Sequence, residues 1–197
     1  PVGEPGAGEV LVKNEWLSLD PYMRGRMNDV KSYVPPVQIG EVMVGQTVGE
    51  VVASQDPRFV PGDKVLAPSG WQLYGVVSAD EVYKIDATRA PASCYLGVLG
   101  MPGMTAWFGL FDIGAPKPGE TVVVSAASGA VGSVVGQLAK SHGCRTVGIA
   151  GGKAKCDYVV QELGFDACVD HTRHALFPDL RKACPDGVDV HFENVGG

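Results

Sequence analysis

The pattern of hydrophobic and polar residues changes near the middle of the chain. Up to residue 92, short hydrophobic runs are separated by glycine and proline, which predicts an irregular antiparallel barrel or sandwich with strands at residues 9–14, 46–54, 64–68 and 71–78. After residue 116, hydrophobic runs alternate with amphipathic stretches, which is typical of a parallel sheet with helices on its faces. We therefore predict an α/β protein with a β-rich domain over residues 1–115 and a doubly wound parallel sheet over residues 116–197.

The second half contains four predicted strands and three predicted helices. The strands cover residues 121–126, 145–150, 167–170 and 188–192, and the helices cover residues 130–142, 153–163 and 173–183. Gly143 and Gly164 fall where a helix C-terminus favours a positive φ. Residues 100–105 combine glycine with proline, which predicts a loop and then a helix that begins near Thr105. A complete dinucleotide-binding sheet has about six strands, so we expect this sheet to be truncated at its C-terminal end.

A buried strand, a turn of small residues and an amphipathic helix follow one another over residues 122–140. Gly129 and Gly132 lie in the turn and at the start of the helix, where glycine lets the backbone approach a pyrophosphate. The N–H groups and the dipole of a helix N-terminus favour an anion at the same place. We interpret this segment as the phosphate-binding part of a dinucleotide site, and the alternative is a strand-to-helix turn that binds nothing.

The end of the second predicted strand indicates which dinucleotide is bound. In NAD-binding folds an Asp or Glu about 20 residues beyond the glycine turn accepts hydrogen bonds from the adenosine ribose. Residues 150–156 contain no carboxylate and carry Lys153 and Lys155, either of which would attract a 2′-phosphate. This favours NADP(H) over NAD(H). The alternative is that both lysines are solvated in the first turn of a helix, where the dipole disfavours cations.

Composition excludes several classes of partner. The chain has 16 Lys and Arg against 22 Asp and Glu, a net charge of −6, without a basic cluster, so nucleic acid and an anionic membrane surface are not expected partners. The five cysteines are spread singly, which indicates neither a disulfide framework nor a zinc motif and suits a reducing cytoplasm. We therefore expect a cytoplasmic protein.

The distribution of possible metal ligands argues against a catalytic zinc. All four histidines fall in the second half, and the β-rich half offers only Cys94 as a soft ligand, whereas a catalytic zinc needs three protein ligands. We therefore expect no metal cofactor. Reduction of a C=C bond conjugated to a carbonyl needs only a hydride donor, a proton donor and a hydrogen bond to the enolate oxygen.

Five segments together resemble one family. Leu-Asp-Pro-Tyr-Met-Arg at residues 19–24 and Gly-Met-Pro-Gly-Met-Thr-Ala-Trp at residues 100–107 are the most specific, joined by residues 61–63, 127–132 and 192–197. The chain resembles the medium-chain dehydrogenase/reductase superfamily over nearly its whole length. Within it the chain looks like the zinc-free NADPH-dependent alkenal/enone reductases, such as the prostaglandin/leukotriene, plant double-bond and bacterial curcumin reductases. The resemblance implies a GroES-like domain over residues 1–115 and a partial Rossmann domain over residues 116–197.

The resemblance also implies a set of residues that bind NADP(H). Those residues are Gly129, Ala130, Val131 and Gly132 at the pyrophosphate, Lys155 at the 2′-phosphate, Gly152 in the loop before it, Asn194, and Thr105 on the nicotinamide side. The family often has a tyrosine near the adenosine phosphate where this chain has His171. A histidine there could bond a phosphate and make NADPH affinity depend on pH, and the alternative is a plain surface residue.

On the substrate side the resemblance implies that Tyr22 borders the pocket and that Met101 and Met104 line it. The Tyr22 hydroxyl would orient the substrate carbonyl or supply a proton, and the alternative is an aromatic residue that only packs. The implied activity is zinc-independent reduction of small hydrophobic α,β-unsaturated aldehydes and ketones by a homodimer. A quinone reductase of the same superfamily and a non-catalytic NADPH-binding protein are the alternatives. A second active-site tyrosine of the family falls beyond residue 197, so we expect this chain to be inactive alone.

Overall fold

The computed structural model describes residues 2–29, 34–173 and 175–196. The chain folds as two compact units, Pro1–Leu96 and Gly97–Gly197. No helix within those described ranges is long and apolar enough to cross a membrane.

The first unit is built on a five-stranded antiparallel sheet in the order β4-β1-β2-β3-β5. Alternate valines such as Val10, Val12 and Val65 are buried in its core, because side chains along a strand point to opposite faces. The strands are β1 Glu9–Leu17, β2 Thr47–Ser54, β3 Lys64–Ala67, β4 Tyr74–Ser78 and β5 Tyr83–Lys84, and a short helix, α1, covers Tyr22–Arg26. The four predicted strands are confirmed, whereas β5 and α1 were not predicted because each is too short for a periodic pattern.

The second unit is built on a four-stranded parallel sheet in the order β8-β7-β6-β9. The strands are β6 Thr121–Val124, β7 Arg145–Ala150, β8 Ala167–Asp170 and β9 Val190–Phe192. All four predicted strands of this half are confirmed, β6 and β9 being shorter than expected. The order places the first strand of the unit, β6, between the second and the fourth, so the chain reverses direction across the sheet after β8.

Helices cover both faces of this sheet. Val122 and Val124 of β6 pack with residues of α3 Ala130–Ser141 and α4 Lys153–Gln161 in one core cluster. Val123 faces the other way and packs near α5 Leu176–Ala183. The three predicted helices are therefore confirmed, α5 starting later than expected. Gly143 and Gly164 have φ of 87° and 74° at the ends of α3 and α4, as predicted.

The predicted loop at residues 100–105 is wrong. Helix α2 spans Met101–Trp107 and so begins at the start of this segment. Pro102 is tolerated because its missing N–H falls in the first helical turn. Gly103 is required by a close approach, since a Cβ there would lie 1.8 Å from the Val98 carbonyl oxygen.

The two compact units divide at Leu96 and Gly97, earlier than the predicted division after residue 115. The reason is that Ala106 of α2 and Leu110 of the following π-helical turn Phe108–Gly114 are fully buried in the same core as Val122. These residues therefore pack with the parallel sheet. A domain boundary at residue 115 stays a prediction about how the chain is organised.

Candidate functional site

A groove of about 490 Å³ lies at the carboxyl ends of the parallel strands in the second unit. Every strand of the sheet contributes the residues that follow it. The lining residues are Ser125, Ala126, Ser128 and Gly129 after β6, Ile149 and Ala150 at the end of β7 with Gly151 and Lys155 after it, His171 and Leu176 after β8, and Glu193, Val195 and Gly196 after β9. The junction of β6 and β9 is the point where strand order reverses, which is where open α/β sheets bind their ligands.

The turn after β6 brings the start of α3 to the groove. Ala126 has a left-handed φ of 44°, and its carbonyl accepts a hydrogen bond from the Gly129 N–H at 2.8 Å. A Cβ on Gly132 would lie 2.5 Å from that same carbonyl oxygen, so the helix packs directly on the turn. No described side chain caps α3. The first-turn N–H groups of Ala130, Val131 and Gly132 therefore keep their capacity to bind an anion.

The loop after β7 places one of the two candidate lysines at the groove. Gly152 caps α4 with a φ of 89°, a conformation that glycine adopts without strain. Lys155 is exposed in the first turn of α4 and lines the groove. Lys153 instead pairs with Asp157 at 2.6 Å and lines a different pocket. The two lysines, which the local sequence pattern alone does not distinguish, thus have different surroundings.

His171 begins the 3-10 turn His171–Arg173 that follows β8. Its ring lies beside the β7 loop, since a Cβ on Gly151 would be 3.0 Å from His171 Nε2. His171 and Lys155 therefore line the same groove from neighbouring strands.

Asp170, immediately before His171, ties these two segments together. Its Oδ1 accepts hydrogen bonds from the Gly152 N–H at 2.8 Å, the Thr172 N–H at 3.0 Å and the Thr172 hydroxyl at 2.7 Å. The Gly152 bond, followed by the Thr172 bonds, lowers the pKa of this carboxyl below its ordinary value.

The segment after β9 is joined to the end of β6 by side chains. Asn194 donates from its backbone N–H to Ser125 Oγ at 2.7 Å and from Nδ2 to the Ser125 carbonyl at 2.9 Å. The Ser125 hydroxyl in turn donates to Glu193 Oε1 at 2.8 Å. Glu193 also accepts from the Val195 and Gly196 N–H groups, and these bonds, with that of Val195 foremost, lower its pKa.

Three residues of this edge were missed from the sequence: Ser125, Asp170 and Glu193. Each is polar and stands at or just after the end of a parallel strand. That position is a usable signal, because parallel strands bring all their carboxyl ends to one edge.

The remaining predicted residues lie elsewhere in the described part of the chain. Tyr22 is in α1 of the first unit and is 40% exposed. Met101, Met104 and Thr105 lie on the exposed side of α2 in the second unit. None of these four is among the residues that line the groove. Gly197, which closes the predicted 192–197 segment, and His174 lie outside the described residues.

Within residues 2–29, 34–173 and 175–196, no group of three or more His, Cys, Asp or Glu side chains is placed to hold a metal ion. The polar groups around the groove are instead backbone N–H groups, a lysine, a histidine, two serines and Glu193, whose Oε1 already accepts three hydrogen bonds. This donor set suits an extended phosphorylated ligand.

A parallel sheet of this order, with an uncapped helix and a groove at its switch point, defines a Rossmann-type nucleotide-binding unit preceded by a β-rich unit. Residues 1–85 match the family model described as the N-terminal domain of oxidoreductase, and residues 130–197 match the model described as zinc-binding dehydrogenase. The chain belongs to the medium-chain dehydrogenase/reductase superfamily, and the relatives that it matches include a curcumin reductase and a 2-alkenal reductase. The predicted family and fold class, GroES-like followed by Rossmann-type, are confirmed.

Individual relatives agree with this assignment. The chain is 55% identical over 196 residues to NADPH-dependent curcumin reductase of Escherichia coli, covering 100% of this chain and 57% of that protein. It is 46% identical over 195 residues to 2-alkenal reductase (NADP(+)-dependent) of Nicotiana tabacum, covering 98% and 57%. The crystal structure of CurA from Vibrio vulnificus in complex with NADPH superposes with a TM-score of 0.93 at 52% identity, covering 100% and 58%. The chain thus spans a little over half the length of these relatives.

Proposed function

We propose that the protein is an NADPH-dependent oxidoreductase that reduces the C=C bond of α,β-unsaturated aldehydes and ketones. The observation that carries the proposal is the groove at the switch point, which Lys155 and His171 line together. The names of the relatives support it, since the E. coli protein is a curcumin reductase and the tobacco protein a 2-alkenal reductase. The relative from V. vulnificus was solved with NADPH bound.

The groove fits a phosphorylated dinucleotide. The uncapped start of α3, at Gly129, Ala130, Val131 and Gly132, would hold the pyrophosphate through backbone N–H groups. Lys155 makes no ion pair with any described carboxylate, so its charge is available to a 2′-phosphate. In this proposal His171 bonds the same phosphate and Gly152 shapes the loop that carries Lys155.

Asn194 would contact the cofactor. Its Nδ2 donates to the Ser125 carbonyl, which fixes the orientation of the amide. Because no described group donates to Asn194 Oδ1, this oxygen can accept a hydrogen bond from a ligand hydroxyl or amide.

On the substrate side, Tyr22 is proposed as the catalytic residue. When bound, NADPH supplies a hydride to the β-carbon of the unsaturated carbonyl. The Tyr22 hydroxyl would donate a hydrogen bond to the carbonyl oxygen and steady the enolate charge that develops there. Met101, Met104 and Thr105 would line the substrate and nicotinamide side, since all three are exposed on α2.

Cofactor oxidation tests the proposal directly. We would measure NADPH oxidation by the complete gene product with and without a simple α,β-unsaturated ketone, and NADH in parallel. Enone-dependent oxidation of NADPH that is much faster than that of NADH is the expected result. Turnover with a quinone and not with enones would instead identify a quinone reductase. Tight NADPH binding without turnover on either acceptor would identify a binding protein.

The physiological partner in this proposal is a small hydrophobic unsaturated carbonyl compound, with no nucleic acid and no membrane as partners. We also propose a cytoplasmic location, which the five free cysteines support. A homodimer stays a prediction, and light scattering of the purified protein, which measures its molar mass, would test it.

A further inference from the structure

We propose that Asp170 is a positioning residue that sets the preference for NADPH over NADH, by holding the Lys155 loop and the His171 turn in one arrangement. This inference rests on the proposed function, because it concerns the phosphate that distinguishes the two cofactors. Asp170 itself is not required to touch the cofactor.

The bonds of Asp170 connect two segments that are otherwise separate loops. Its Oδ1 accepts from the Gly152 N–H at 2.8 Å, across 18 positions in sequence. The same oxygen accepts two bonds from Thr172, the residue after His171. Since Gly152 caps the helix that carries Lys155 in its first turn, one carboxylate oxygen fixes the starts of both phosphate-binding segments.

The strand pairing makes this connection rigid. Ala150 of β7 and Asp170 of β8 are paired in the parallel sheet, so both loops leave the sheet at the same level. His171 Nε2 then lies against Gly151, where a Cβ would be only 3.0 Å away. A shift of either loop would change the separation between the Lys155 and His171 side chains.

An acidic residue beside a phosphate site would be expected to repel the ligand, but the position of Asp170 avoids this. Asp170 does not line the groove. It lines a second pocket of about 680 Å³ together with Lys153 and Arg173. In this proposal the carboxylate therefore acts through the hydrogen bonds of one oxygen, which hold the two loops.

Equilibrium binding of NADPH and NADH to variants of the purified protein tests the inference. We expect Asp170→Asn, which replaces three charge-assisted bonds by weaker bonds to a neutral amide oxygen, to weaken NADPH binding by about fivefold, while NADH binding changes less than about twofold. Thr172→Val removes one of the three bonds and should shift the preference in the same direction by about threefold. Circular dichroism and thermal unfolding would show whether each variant is folded. If Asp170→Asn does not fold, Thr172→Val still tests the inference.

The chain offers a matched control. Asp86 accepts from the Thr88 N–H at 3.0 Å and from the Thr88 hydroxyl, the same local arrangement as Asp170 with Thr172, in the first unit. Asp86→Asn should leave the ratio of the two affinities unchanged. Equal weakening of NADPH and NADH by Asp170→Asn, or an unchanged ratio in both Asp170→Asn and Thr172→Val, would overturn the inference. If the unsubstituted protein binds NADPH no better than NADH, the proposed cofactor is overturned. This measurement is made before any variant is compared, so it distinguishes failure of the proposed function from failure of the inference.

Discussion

The two sheets of this protein use their charged side chains in different ways. In the antiparallel sheet, carboxylates bond nearby turns or pair across the strand surface, as Asp56 does with Arg58 and as Glu15 and Glu50 do with Lys64. In the parallel sheet, Asp170 and the Glu193 network instead hold loops together around a groove. The reason is topological. An antiparallel sheet mixes strand starts and ends at each edge, whereas a parallel sheet gathers all its carboxyl ends at one edge.

A short motif therefore does not determine a residue's role. Asp86 with Thr88 and Asp170 with Thr172 share the same spacing and the same local bonds. Only Asp170 stands at the end of a parallel strand, and only there does the carboxylate also reach the neighbouring loop at Gly152.

The largest expected effect comes from a second difference between the two units, the closeness of packing around their helices. A Cβ on Gly136 of α3 would lie 1.7 Å from the ring of Phe165, which is itself buried. Gly136→Ala should therefore destabilise the protein by about 3 kcal/mol, the upper range for overpacking. Gly25→Ala in α1 meets nothing within 4 Å and should stabilise by about 0.5 kcal/mol, since alanine is favoured in helices. Thermal unfolding measures both, and similar melting temperatures for the two variants would contradict the packing argument.

The next largest effect separates two lysines of the same helix. Lys155→Ala should weaken NADPH binding by about 10- to 100-fold, the value of a charge-assisted bond to phosphate, and change NADH binding little. Lys153→Ala is the control, because Lys153 pairs with Asp157 and lines the other pocket. Fluorescence titration with each cofactor gives the affinities. Equal losses for NADPH and NADH with Lys155→Ala would remove the 2′-phosphate role.

The contribution of the first unit to chemistry is tested at Tyr22. In the complete gene product, Tyr22→Phe should lower turnover on enones by about tenfold or more, because it removes the hydroxyl that is proposed to bond or protonate the substrate, and should leave NADPH affinity unchanged. Tyr83→Phe is the control, since Tyr83 is an exposed tyrosine on β5 of the same unit. An unchanged rate for Tyr22→Phe would limit the first unit to a structural role.

A smaller effect is expected from the bonds between β6 and β9. If Glu193 acts on the cofactor through Asn194, the effects of Glu193→Gln and Asn194→Ala on NADPH affinity should not add. A double-mutant cycle should give an interaction energy of about 1 kcal/mol. Glu120→Gln is a suitable control, because Glu120 bonds the Lys117 N–H in a turn at the other end of β6. Additive effects of Glu193→Gln and Asn194→Ala would indicate that the two residues act separately.

The smallest effect is a dependence of stability on pH. The pKa values of Asp170 and Glu193 are lowered by their hydrogen bonds from ordinary values of 3.8 and 4.5. A depressed folded-state pKa gives stability that is present above the unfolded value and is lost as pH falls through the folded one. The melting temperatures of the unsubstituted protein and of Asp170→Asn should therefore converge as pH falls below about 4. A gap that stays constant to pH 3 would show that the charge contributes nothing.

Much of the second unit could be predicted from the sequence because its signals are local. A valine-rich strand, small residues and an amphipathic helix indicate the phosphate turn without reference to the rest of the chain. Asp170 was missed because its partner Gly152 is 18 positions away, and because an acid near a phosphate site suggests repulsion. The start of α2 was misplaced since the need for Gly103 arises from the Val98 carbonyl, a contact that only the fold reveals.

The pairing of β6 with β9 also affects the order in which the protein takes shape. Val122 pairs with Val190, and the Ser125 hydroxyl reaches Glu193 across 68 positions of chain. Contacts of such long separation cost more loop-closure entropy and form slowly. At synthesis rates of about 5 to 20 residues per second, β9 is synthesised about 3 to 14 seconds after β6. Binding of a nucleotide to this groove would therefore report that folding of the whole unit is complete.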